Sequence, residues 1–195
     1  AINSDVQGTG MCPDEGSAYF DNFQIVDAPE CAGTDPGAVL GGDFESEGAR
    51  SAFEVFEDRA GRSSARFAER PGNQVLRLQA NESCYTSGLR RIFYVPWAEE
   101  RAQQLNAFRF DYTLSNLTDG DRLSVLVNPG GTVQFTTQSA EVSEGIVCIP
   151  EFSQGRLARF DMNLQKFQEC ERVRRPTALI DNLALVRSDD CDVAQ

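Results

Sequence analysis

The chain lacks the general base on which most nucleophilic enzymes depend. Its 195 residues contain no histidine, so a serine or cysteine nucleophile would have no customary proton acceptor. Carboxylate pairs are the remaining route, and Glu99-Glu100 and Asp189-Asp190 are adjacent acids. Neighbouring positions on a strand point to opposite faces, whereas a glycosidase pair must converge on one bond. Both pairs therefore read as solvated charge, and the chain as a non-enzyme. The cysteines Cys12, Cys31, Cys84, Cys148, Cys170 and Cys191 include no C-x-x-C pair. An even number so scattered predicts disulfides rather than zinc ligands. Binding chemistry is better represented, because aromatic rings stack on the C–H faces of sugars. Trp97, the only tryptophan, heads that set, with Tyr85, Tyr94 and Tyr112 behind it. The 13 phenylalanines are more often core residues.

The elements that would position these residues are short and alternating. Phe53–Glu57, Ala65–Glu69, Gln74–Gln79, Leu89–Val95, Phe108–Leu114, Leu123–Val127, Val133–Thr137, Ile146–Ile149 and Leu157–Asn163 carry the period-two pattern of strands, with turn residues between them. With a closing strand after residue 177 they predict an all-β sandwich or barrel. One or two helical turns are expected over Pro96–Gln104, where good helix formers follow a proline.

One segment occurs twice. Residues 18–31 and 178–191 align without a gap, placing Asp21 over Asp181 and Cys31 over Cys191. Both copies alternate as strands and want the same kind of groove. Pairing the flanking cysteines of each copy would join Cys12 to Cys31 and Cys170 to Cys191, leaving Cys84 with Cys148. Six cysteines allow 15 pairings, so this is one scheme among many. The spare strand could end a preceding module, lie in its own sandwich or insert into a neighbour. Residues 28–42, rich in proline and glycine, resemble a tether that lets an arm leave its domain. An N-terminal arm over 1–35, with a donor strand at 18–26, is thus expected ahead of a domain at 36–195. Tyr19, Phe20, Phe23, Ile25 and Val26 would be the polymerisation residues, since head-to-tail strand donation that does not close builds a filament.

Gly41-Gly42-Asp43-Phe44-Glu45, Phe108-Arg-Phe-Asp-Tyr112 and Ala178-Leu-Ile-Asp-Asn-Leu-Ala-Leu-Val186 together resemble the opening, middle and closing strands of galactose-binding-like and carbohydrate-binding-module domains. The resemblance covers about residues 40–191 and implies a jelly-roll β-sandwich. Gly41 stands where asparagine is common in that opening motif. Families of this type often hold a structural calcium between opening and closing strand acids, which here implicates Asp43, Glu45 and Asp181. The chemistry is apt, because calcium takes hard oxygen ligands from carboxylates.

Charge and composition narrow the partners. A net charge of −12 opposes nucleic acid and anionic membrane alike. No apolar run approaches the roughly 20 residues of a membrane helix. Disulfides place the chain outside a reducing cytoplasm, and its start at Ala1 is what a secreted protein presents after signal cleavage. Asn81-Glu-Ser and Asn116-Leu-Thr fit the N-glycosylation pattern, which recurs by chance at this length. The expectation is a secreted or cell-surface filament subunit that partners itself. Its alternative is a monomeric carbohydrate-binding module for adhesion, with glycans as partners.

Overall fold

A computed structural model describes residues 42–57, 63–80, 86–166 and 175–192. The chain divides between Thr34 and Asp35, and every described residue belongs to the second unit. The described residues form ten strands, β1 (Glu54–Glu57), β2 (Ser63–Arg70), β3 (Asn73–Ala80), β4 (Thr86–Tyr94), β5 (Ala107–Ser115), β6 (Arg122–Asn128), β7 (Thr132–Phe135), β8 (Ser139–Cys148), β9 (Leu157–Gln165) and β10 (Thr177–Val186). They form two five-stranded sheets, ordered β1-β4-β9-β6-β7 and β2-β3-β10-β5-β8. Every strand pair among them is antiparallel. The fold is a jelly-roll β-sandwich.

Alternation builds the core. On β9, Ala158, Phe160, Met162 and Leu164 turn inward and are buried, and Phe108 and Phe110 do the same on β5. Phe44, Phe53, Phe93, Phe108 and Phe160 run through the core as a chain of ring contacts, with successive centroids 4.8–6.4 Å apart. Each such side chain contributes roughly 1.5–3 kcal/mol by leaving water. A second cluster joins Phe110, Tyr112 and Phe135. Gly145 permits it, since a Cβ there would lie 2.5 Å from the Phe110 ring.

Several expectations change. The opening motif is a turn followed by the short helix α1 (Glu47–Ser51) rather than a strand. Phe44 has a φ of 58° and is fully buried against Phe53 and Phe67. A bulky residue holds that conformation only when packing over-determines it. Strand β8 runs the whole of Ser139–Cys148 rather than 146–149. As the outermost strand of its sheet, it is exposed on both faces of its first half, Ala140 and Val142 included, so its alternation there does not mark a buried face. The helix expected over 96–104 contracts to a 3-10 turn at Arg101–Gln103.

The C-terminal end is fastened to the sandwich by Cys148–Cys191, whose Cα atoms lie 5.3 Å apart. This bond replaces both the Cys170–Cys191 and the Cys84–Cys148 pairing of the like-with-like scheme. Asn106 reinforces it, donating from Nδ2 to the Ser188 carbonyl (2.9 Å) and accepting from the Ser188 amide (2.8 Å). Cys12, Cys31, Cys84 and Cys170 lie outside the described residues.

The filament expectation meets its first obstacle here. The closing copy of the repeated segment is β10, held between β3 and β5 in the interior of its sheet. The groove that both copies fit is filled by the chain's own strand. The polymerisation residues Tyr19, Phe20, Phe23, Ile25 and Val26 lie outside the described residues.

Candidate functional site

Strands β4 and β9 present one outward face in three consecutive cross-strand rows, Arg90 beside Asp161, Ile92 beside Arg159 and Tyr94 beside Leu157. Together these rows extend about 14 Å at a strand's rise per residue. Burial, charge and register assign the rows different work. Asp161 is only 2% exposed, yet it lies on the outward face. It survives there because Arg90 Nε donates to its Oδ1 and Arg159 Nε to its Oδ2, each at 2.5 Å, with Arg159 Nη2 adding a contact of 3.2 Å. A buried carboxylate needs such pairing. The hydrogen bond to Asp161 raises the Arg90 guanidinium above its ordinary pKa. Glu54 on β1 stands 3.7 Å from the other side of Arg90. The guanidiniums are half-exposed, in fixed orientation, and formally balanced by the two carboxylates.

At the other end the face turns apolar. Ile92, Tyr94, Trp97 and Leu157 are each 57–65% exposed. Trp97 follows β4 and is braced by the loop before β9. There Gly155 donates its N–H to the Val95 carbonyl and Val95 donates to the Arg156 carbonyl, both at 2.9 Å. Gly155 has a φ of 70°, and a Cβ on it would come within 3.2 Å of the Trp97 Cβ. At the polar end, Phe56 on β1 touches the space over Gly88, where a Cβ would meet its ring tip at 2.5 Å. The Arg90 guanidinium lies 5.2 Å from that ring's centroid, within cation–π range.

The opposite sheet carries the acids singled out by sequence. Asp181 is 9% exposed and accepts from Asn73 Nδ2 (2.6 Å) and from the Asn182 amide (2.8 Å). Burial, aided by the charges of Asp111 and Glu45, raises its carboxyl above the ordinary range, and those hydrogen bonds oppose the shift. Asn182 has a φ of 51° at a bulge in β10, and its Nδ2 donates to Asp111 Oδ2 at 2.8 Å. The bulge also turns the Leu183 amide to the Gly42 carbonyl (2.9 Å), tying the closing strand to the opening motif. Glu45 Oε1 accepts from the Gln74 amide (2.9 Å), and Asp43 Oδ1 from the Glu45 amide (3.3 Å). The acids expected to hold calcium are thus engaged in local hydrogen bonds. Among the described residues no group of three or more acids, cysteines or histidines is disposed to hold a metal ion.

The aromatic candidates separate clearly. Trp97 and Tyr94 are both exposed, whereas Tyr112 packs against the core beside Phe110 and Phe135. Tyr85 and Asn81 lie outside the described residues. Asn116 is exposed on a turn with a φ of 58°. Glu99-Glu100 and Asp189-Asp190 are exposed. Sequence does not single out Ile92, Leu157 and Arg159, because what unites them is the register of β4 against β9.

No family model matches the chain, and no curated protein sequence does so either. Solved structures resemble it in fold. A family 11 carbohydrate-binding module from Clostridium thermocellum, in complex with a beta-1,3-1,4-mixed-linked tetrasaccharide, is 11% identical over 75% of this chain and 93% of its own, with a TM-score of 0.48. The module TmCBM61, in complex with beta-1,4-galactotriose, is 14% identical over 80% and 97%, with a TM-score of 0.47. The chain resembles carbohydrate-binding modules. It also resembles the enzymatically active domain of the bacteriophage CBA120 tailspike protein 4, at 12% identity and a TM-score of 0.44, but spans only 21% of that chain. No residue role is carried over at these identities. The filament expectation is overturned: β10, held between β3 and β5, already occupies in the chain's own sheet the slot that strand donation requires.

Proposed function

We propose that the chain is a carbohydrate-binding module that holds a neutral glycan along the outward face of β4 and β9. The observation that carries this reading is the alignment of exposed Tyr94 and Leu157 with the fixed Arg159–Asp161–Arg90 group on a single face, with exposed Trp97 three residues beyond Tyr94. A sugar offers the same two chemistries, C–H faces that stack on rings and hydroxyls that accept from guanidiniums. Neutral glycans are favoured because Asp161 and Glu54 balance the two arginines and the chain's charge of −12 repels polyanions. The Cys148–Cys191 disulfide suits an oxidising compartment outside the cytoplasm, where polysaccharides are met. Among the described residues no helix is long and apolar enough to cross a membrane.

Affinity electrophoresis through gels containing mixed-linkage glucan, galactan, mannan or xylan tests the proposal. At least one neutral polysaccharide should retard the protein, and alginate should not. Trp97→Ala should weaken binding roughly 30-fold, the loss of about 2 kcal/mol expected of a central aromatic contact. Retardation that survives Trp97→Ala combined with Tyr94→Ala would refute this face as the site.

A further inference from the structure

We propose that the cleft on the outer face of the β2-β3-β10-β5-β8 sheet is a second saccharide site, one that takes a single neutral sugar residue. The cleft has a volume of about 200 Å³, and its lining includes Asn73, Asp111, Thr113, Asp181 and Asn182 with Val75 and Leu179. That is room for one ring rather than a length of chain.

The lining is arranged as donor–acceptor couples. Asn73 is hydrogen-bonded to Asp181 at 2.6 Å and Asn182 to Asp111 at 2.8 Å, so each couple sets a carboxylate beside a carboxamide. A carboxamide has two N–H donors and a carbonyl acceptor, and a carboxylate has further lone pairs. One bond between them leaves both kinds of capacity facing the cleft. Vicinal hydroxyls, which donate and accept on adjacent carbons, match such a couple. Leu179 and the exposed Val142, also in the lining, provide apolar surface for the C–H face of the same ring. Among the described residues that line the cleft, Arg70 is the one cation, against Asp111 and Asp181. A uronate or sulfated sugar would meet net negative charge there.

This cleft is separate from the β4–β9 face, because the two lie on opposite sheets with the phenylalanine core between them. Filling both would make the module bivalent and able to bridge glycan chains, which raises avidity without any new contact. The proposal stands whether or not the first face binds sugar.

The test is a titration of the full chain, followed by side-chain amide signals in nuclear magnetic resonance, with methyl glycosides of glucose, galactose, mannose and xylose in calcium-free buffer. At least one glycoside should shift the Asn73 and Asn182 amides saturably, and equally so in Trp97→Ala. Asp111→Ala should weaken that binding by about tenfold, or 1.4 kcal/mol. Thr113→Val, which preserves side-chain shape, should weaken it as well. The proposal is overturned if no glycoside moves those amides, if both variants bind as the wild type does, or if calcium chloride alone reproduces the shifts and so identifies a metal site.

Discussion

The two outward faces of the sandwich solve the problem of a buried acid differently. On the β4–β9 face, Asp161 is neutralised by two arginines across and along the strands, and the carboxylate becomes the anchor that orients both guanidiniums. On the β5–β10 face, Asp181 has no cation within hydrogen-bonding distance among the described residues and relies on Asn73 and the Asn182 amide, so burial pushes its carboxyl upward. Ion pairing thus fixes long side chains for outward work beside Tyr94 and Trp97. Amide pairing instead closes a turn and fastens the bulge that joins β10 to Gly42. The same residue type serves as a platform on one face and as a latch on the other.

The largest expected effect comes from removing the charges that neutralise Asp161 while keeping it covered. Arg90→Met with Arg159→Met retains stems over the carboxylate but leaves it unpaired, which should cost about 3–5 kcal/mol. Denaturant unfolding would measure this. Adding Asp161→Asn should restore most of the loss. A double variant as stable as wild type would show that water reaches Asp161, and the contrast between the faces would collapse.

Next in size is a pair of glycine substitutions, one on each side of the comparison. Gly155 and Gly72 both have positive φ, at 70° and 77°, but only Gly155 has a neighbour where its Cβ would stand. Each change to alanine should cost about 1–2 kcal/mol from the left-handed backbone. Only Gly155→Ala should also move the emission of Trp97, the sole tryptophan, and weaken glycan binding. Equal fluorescence in both variants would mean that the loop before β9 does not position the ring.

The sandwich is largely readable because inward positions alternate faithfully. The run expected from Leu157 to Asn163 is β9 shortened by two residues, and that from Phe108 to Leu114 lies within β5. What escapes is set by tertiary context. Phe44 looks like a strand residue until packing forces it into a left-handed turn, and β8 hides because both faces of its first half meet water. Tyr94 and Trp97 can be nominated by type alone. Tyr112 looks equivalent, and only the contacts with Phe110 and Phe135 remove it to the core. Leu157 and Arg159 require the register of β9 on β4, which no local pattern encodes. The Cys148–Cys191 bond depends on how a loop and a terminus meet, and that information is absent from cysteine spacing.

The smallest effect lies at the latch and has a definite sign. Because the Asp181 carboxyl titrates above its ordinary range in the folded chain, the folded state holds this proton at pH values where the unfolded chain has released it. Stability from this group is therefore fully present below the unfolded value and is lost as pH rises through the folded one. Burial is the main cause of the shift, Asp111 and Glu45 add to it, and the hydrogen bonds from Asn73 and Asn182 oppose it; none of these neighbours is a cation. Asp181→Asn removes the dependence, so its stability relative to wild type should rise between acid and neutral pH. Paired melting curves across that range isolate the difference from every other titrating group. A difference that runs the opposite way would mean that the folded chain favours the carboxylate. A cation beside Asp181 would produce that result, and the two faces would then hold their buried acids by the same means.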